Sequence, residues 1–231
     1  MSENPTDALF SEVSLVIKEM KENDAAPPVR IKSCLEHMRS SLEYFANDVY
    51  EKLGVAPERN VYFPYGKPAF IEAYLSKLRA SPDTINQLRE LLTSIQPYHT
   101  GEDWLTMMCN LTNDAKHRRP IPLDQDEVIT GRTISAGDIN IFHMSGSGLL
   151  PPNKIKVKNL NIFGQQVQDF TYEKGVMTVS GDGIPINLNI TKEKKIRFHG
   201  HDYEVIPFLE NCLDELKNFS EKGYSFLNSL P

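Results

Sequence analysis

The chain has 231 residues, with 25 Lys and Arg against 31 Asp and Glu, a formal net charge of -6, 40% hydrophobic residues and a mean hydropathy of -0.39. That composition excludes a disordered, collagen-like or low-complexity chain, and the length suffices to bury a core without metal or disulfide staples. The acidic balance excludes a general electrostatic attraction to nucleic acid, so any phosphate site must be local.

Three cysteines, Cys34, Cys109 and Cys212, are odd in number and far apart. They offer neither a disulfide framework nor a paired zinc motif, and they point to a reducing cytoplasm. No run approaches the roughly 18 to 20 apolar residues of a membrane span, and the first twenty residues are acidic and amphipathic, so no membrane partner is expected. No segment is basic: residues 1–120 carry 14 basic against 17 acidic side chains, residues 121–203 carry 9 against 9, and residues 204–231 carry 2 against 5.

Leu9, Val13, Val16, Ile17 and Met20 recur at helical spacing and predict a first helix, ended by Ala25-Ala26-Pro27-Pro28. Ile31, Leu35, Met38, Leu42, Phe45, Val49 and Leu53 predict a long second helix, with Gly54 in the place of a C-terminal cap. The turn formers from Phe63 to Pro68 precede a third helix carrying Phe70, Ile71, Tyr74, Leu75 and Leu78. Ser81-Pro82 reads as the N-cap and first turn of a fourth, with Ile85, Leu88, Leu92 and Ile95 on one face, stopped at Gln96-Pro97-Tyr98. A fifth has Trp104, Met108, Leu111 and Ala115 as its apolar stripe and ends at Pro120 and Pro122.

Between Val128 and Val205 the pattern changes to short runs separated by Gly, Pro or charged turns: 128–134, 139–144, 154–157, 167–172, 176–179, 186–190 and 196–199. Glu173-Lys174-Gly175 and Lys192-Glu193-Lys194 read as hairpin loops. Val205, Phe208, Leu209, Cys212, Leu213, Leu216 and Phe219 predict a last helix. The predicted class is α+β: a helical bundle over 1–120, an antiparallel β-sheet or sandwich over 121–203, and a C-terminal helix over 204–231 that packs either on the bundle or on the sheet.

The densest polar stretch runs from Asn110 to Arg119. At about 100° per residue, Asn110, Asn113 and His117 form a row opposite the Trp104 stripe. On the second helix Arg30 and His37 form a comparable row, with Ser33, Ser41 and Tyr44 close by. A histidine among amides and cations suits phosphodiester or nucleotide chemistry, because imidazole moves a proton near neutral pH and guanidinium offsets charge developing on phosphorus. A cationic last turn also satisfies the helix dipole.

The long Arg30–Leu53 helix, Ile95-Gln96-Pro97-Tyr98 ahead of a helix with Trp104-Leu105, and then Asn113 and Lys116-His117-Arg118 together resemble HEPN-type helical domains. The resemblance implies a helical bundle, often paired in a homodimer, and in active members a metal-independent ribonuclease. Their mark is an arginine, usually followed by a polar residue, then a histidine after four to six intervening residues on a late helix. Asn113 matches the polar position and His117 the histidine, and Thr112 stands where the arginine belongs. Arg30 and His37 have the spacing on an early helix, with Ile31 at the polar position.

The candidate catalytic set is therefore His117, Asn113 and Arg118, with Arg30, His37, Lys116 and Arg119 as phosphate ligands and RNA or a nucleotide as partner. The alternative is a non-catalytic interaction or scaffold module that dimerises through its bundle. No cofactor is expected. His199 and His201, with Asp202 or His143, read as a polar turn rather than a metal site, and no metal is assigned. Gly146-Ser147-Gly148 lacks the remainder of a dinucleotide or phosphate loop, and Cys34 beside His37 lacks an orienting acid.

Overall fold

A computed structural model of the chain describes residues 5–53, 61–117, 120–145 and 154–230. Its helices are α1 (Asp7–Glu22), α2 (Pro28–Lys52), α3 (Pro68–Leu75), α4 (Pro82–Thr93), α5 (Pro97–Thr100), α6 (Trp104–His117) and α7 (Val205–Ser229). The strands are β1 (Leu123–Ala136), β2 (Ile139–Ser145), β3 (Lys154–Val157), β4 (Asn161–Ile162), β5 (Gln165–Gln166), β6 (Asp169–Glu173), β7 (Val176–Ser180) and β8 (Ile186–Phe198). The protein is α+β, and it divides into two compact units, unit 1 of residues 1–124 with 196–231 and unit 2 of residues 125–195.

Unit 1 is a helical bundle. The apolar ridge of α2, from Ile31 through Leu42 to Val49, is fully buried, and α1, α6 and α7 all pack on this helix. The final helix thus returns to the bundle. It runs ten residues beyond Phe219, and its ridge from Val205 to Leu227 lies against α1 and α2. Gly223 is small for a reason: a β-carbon there would stand 2.6 Å from Cε2 of Phe45, whose ring meets Phe219 and Tyr224 edge-on at 5.1 and 5.7 Å.

Local sequence explains the helix ends. Proline occupies the first turn of α2, α3, α4 and α5, where its missing N–H costs nothing. The Ser81 hydroxyl accepts from the Thr84 amide and caps α4. The cap expected at Gly54 lies outside the described residues. Phe70, expected in the core of α3, is exposed; Ile71, Tyr74 and Leu75 carry the buried side of that short helix.

Between α3 and α4, Arg89 donates to both carboxylate oxygens of Glu72 at 2.7 and 3.0 Å. The hydrogen bonds from Arg89 hold the Glu72 carboxyl below the usual carboxylate range. Its contribution to stability is therefore present above the ordinary glutamate pKa and is lost as pH falls through the lowered native value. The pair is exposed, so the effect is small and screened by salt. We expect Glu72→Gln to lower the urea midpoint slightly near neutral pH, and the difference from wild type to vanish below about pH 3. A difference that persists in acid would assign the effect to packing instead.

Unit 2 has its own core, centred on Ile134, Val167, Phe170, Tyr172 and Ile186. One sheet has the order β2-β1-β8, a second has β3-β6-β7, and β4 and β5 form a small hairpin. In the second sheet, alternation sends Ile155, Val157, Phe170 and Tyr172 inward and Lys154, Lys156 and Glu173 outward. The turn at Lys174-Gly175 joins β6 to β7 as expected, with both residues at positive φ. Lys192-Glu193-Lys194 is not a hairpin: it lies inside the continuous strand β8, whose middle residues are exposed.

Candidate functional site

Of the polar row expected on α6, Asn110 and Asn113 form an exposed edge of unit 1, but the buried side of the helix is rotated from the predicted stripe. Trp104, Leu105, Met108, Cys109 and Thr112 are buried, and Leu111 and Ala115 are only half-buried. Thr112 therefore belongs to the core. Its hydroxyl donates to the Met108 carbonyl at 2.8 Å, back-bonding within the helix. Asn110, Asn113 and Lys116 are exposed.

Facing this edge is a network that the sequence reading did not find. Arg39 of α2 is buried, and it donates to the Cys109 thiol of α6 at 2.6 Å and to Glu43, one helical turn on, at 2.5 Å. The other Glu43 oxygen accepts from the Phe63 amide at 2.7 Å. The guanidinium lies 4.7 Å from the centroid of the Tyr65 ring, a cation–π contact, and the Asn113 amide donates to the Tyr65 hydroxyl at 3.4 Å. Gln96 fixes the loop that supplies Phe63 and Tyr65. Its amide donates to the carbonyls of Pro64 and Leu92, and its carbonyl accepts from the Gly66 amide.

Burial works against charge on Arg39, but Cys109 and Glu43 beside it more than compensate and raise its pKa. Burial pushes the Glu43 carboxyl up, opposed by Arg39 and by the Phe63 amide. At neutral pH the two form an ion pair. Burial also raises the Cys109 thiol to about 11 despite the guanidinium, so it accepts as a neutral thiol and is no nucleophile. Cys34 is likewise raised, to about 12 and chiefly by burial, which leaves it inert beside His37.

The structure does not join the two predicted rows. Arg30 and Arg39 are nine residues apart, which places them on opposite sides of α2. Arg30 pairs with Glu19 of α1 at 3.2 Å. His37, seven residues on, shares the Arg30 side and not the side of Arg39. Ser41 is buried and donates to the Met38 carbonyl. The backbone of His117 closes α6, while its side chain and all of Arg118 and Arg119 lie outside the described residues. The signal that could have exposed Arg39 and Glu43 is their i, i+4 spacing next to the apolar ridge positions Met38 and Leu42.

At the C-terminal end of α6 a pocket of about 300 Å³ is lined by the apolar Leu111, Ala115, Ile121 and Phe198 together with Asp114, His199 and His201. His199 bonds Asp124 through Nδ1 at 2.9 Å, and that bond holds the Asp124 carboxyl below its ordinary range. His143 instead bonds the Thr133 hydroxyl within unit 2, and Asp202 is exposed. Among the described residues no group of three or more His, Cys, Asp or Glu side chains is placed to hold a metal ion. Comparison with known proteins finds no matching family model, curated protein or solved structure.

Proposed function

We propose that the protein is a non-catalytic interaction module built on a HEPN-like bundle. The observation that carries this reading is the state of Arg39. The one buried guanidinium described beside the α6 row is already engaged by Glu43, the Cys109 thiol and the Tyr65 ring, so its charge is neutralised and its donors are aimed inward. Phosphoryl chemistry requires such donors to meet a substrate oxygen in the transition state. Thr112, in the place of the arginine expected from the resemblance, is committed to the core. The three free, buried thiols support a reducing compartment such as the cytoplasm.

The test is incubation of the purified protein, and of His117→Ala, with end-labelled single-stranded RNA in the presence of a chelator. We expect intact RNA from both. Cleavage by the wild type that His117→Ala abolishes would replace this reading with a metal-independent ribonuclease.

A further inference from the structure

The pocket of about 300 Å³ at the C-terminal end of α6 lies on the opposite side of that helix from the Arg39 network, since Leu111 lines the pocket and Cys109, two residues earlier, meets Arg39. Its floor is apolar: Ile121 and Phe198 are buried, and Leu111 and Ala115 are half-buried. The walls are held from behind. Phe198 meets Phe208 of α7 edge-on at 5.4 Å, Tyr203 of the same turn donates to Asp103 ahead of α6 at 2.5 Å, and the His199 amide donates to the Pro122 carbonyl at 3.1 Å. An apolar floor between fixed walls, with a few polar groups at the mouth, is the build of a small-molecule site.

The polar groups define what it takes. Asp124, outside the lining, holds Nδ1 of His199 at 2.9 Å, so in the neutral ring the proton sits on Nδ1 and Nε2 is left as an acceptor. His201 also lines the pocket, and its ring has no hydrogen-bond partner among the described residues. Asp114 stands exposed on the rim in the last turn of α6, where the helix dipole is negative as well. A carboxylate has about four acceptor sites, so Asp114 can take a ligand donor beside what it already engages in the protein. Among the described residues of the lining there is no lysine or arginine, and Lys116 emerges on the Cys109 side of α6, towards Glu43. Acceptors thus surround a floor with room for one ring, since a cavity of about 150 Å³ already takes up benzene.

We propose that this pocket binds a small organic ammonium ion with a single-ring apolar body. The ring rests on Ile121 and Phe198, and the ammonium donates to Asp114 and to Nε2 of His199. The site goes beyond the interaction-module reading and does not rest on it, so the outcome of the RNA assay has no bearing on it.

The experiment is a titration of the full chain, followed by amide chemical shifts, with three probes of one shape: 2-phenylethylammonium, the neutral 2-phenylethanol and the anionic 3-phenylpropionate. The ammonium is expected to bind with a Kd on the order of 0.1–1 mM and to shift the amides of Ala115, His199 and His201. It should bind at least about threefold more tightly than the alcohol, and the carboxylate more weakly than either. Asp114→Asn should erase the preference for ammonium over alcohol while leaving the affinity for the alcohol unchanged. His199→Ala should weaken both alike. Ala115→Leu fills the cleft from a helix position where leucine is well tolerated, and it should remove binding while the melting temperature stays level or rises. Should leucine unfold the chain, the Asp114→Asn comparison decides. No saturable binding of the ammonium, no preference for it over the alcohol, a carboxylate bound as tightly, a preference that survives Asp114→Asn, or binding that survives a folded Ala115→Leu would each overturn the proposal.

Discussion

Glu43→Ala is expected to cost about 3 kcal/mol of folding stability, read as a fall in the urea midpoint at unchanged slope. The Arg39 and Glu43 side chains retain only 10% and 21% of their exposure, so water does little to compensate a lost partner. The substitution strands a buried guanidinium and also leaves the Phe63 amide without its acceptor. Arg39→Met is milder, because a carboxyl whose pKa burial has already raised can take up a proton. The double variant Arg39→Met/Glu43→Gln should be more stable than Glu43→Ala, since the glutamine carbonyl still accepts from Phe63 and no buried charge remains. If Glu43→Ala falls within about 0.5 kcal/mol of wild type, the network is better hydrated than its geometry implies.

Gly223→Ala carries the second large effect, and its sign opposes helix propensity. On an exposed helix face the change would stabilise by about 1 kcal/mol. In α7 the new methyl meets three atoms of the Phe45 ring at 2.6, 3.0 and 3.1 Å. Phe45 cannot swing aside, because Phe219 and Tyr224 hold it edge-on and it is almost wholly buried. Overpacking of this kind costs about 1–3 kcal/mol, so a net loss of about 2 kcal/mol is expected. Phe45→Leu in the same chain should recover part of it, a coupling that a double-mutant cycle measures directly. A Gly223→Ala protein more stable than wild type would show that α7 shifts to make room.

The helices of unit 1 were legible because 3.6-residue periodicity is a local property of the chain. The α2 ridge from Ile31 to Val49 and the Ser81 cap of α4 stand where spacing and cap chemistry put them. The buried side of α6 was harder, since Cys109 and Thr112 are small enough to pack and polar enough to read as surface. The β8 run failed for a related reason: Lys192-Glu193-Lys194 has turn-like composition, yet it lies in an exposed stretch of strand, where charge is tolerated. Phe163-Gly164, the turn between β4 and β5 with both residues at positive φ, escaped notice because its first residue is one that such a turn disfavours. The docking of α7 rests on contacts across nearly the whole chain, which no window of sequence contains.

For the site, the sequence identified Asn110 and Asn113 as members of a polar row on α6, and both are exposed. It missed what faces them, because the roles of Arg39 and Glu43 depend on a loop brought in by Gln96 from more than fifty residues away. An i, i+4 pair of opposite charges usually marks a solvated helix face. Here the 63–65 segment and the Cys109 side of α6 cover it.

The interruption of unit 1 by residues 125–195 has a consequence for the order in which the protein can be made. A ribosome releases α1, α2 and α6 long before α7, so the newborn bundle must wait through the whole insertion with Phe45 and its neighbours lacking their final cover. Closing a bundle across so wide a sequence gap is slow compared with zipping adjacent helices. During that interval the greasy flank of α2 is open to chaperones, and a nascent chain stalled within the insertion would leave it bare.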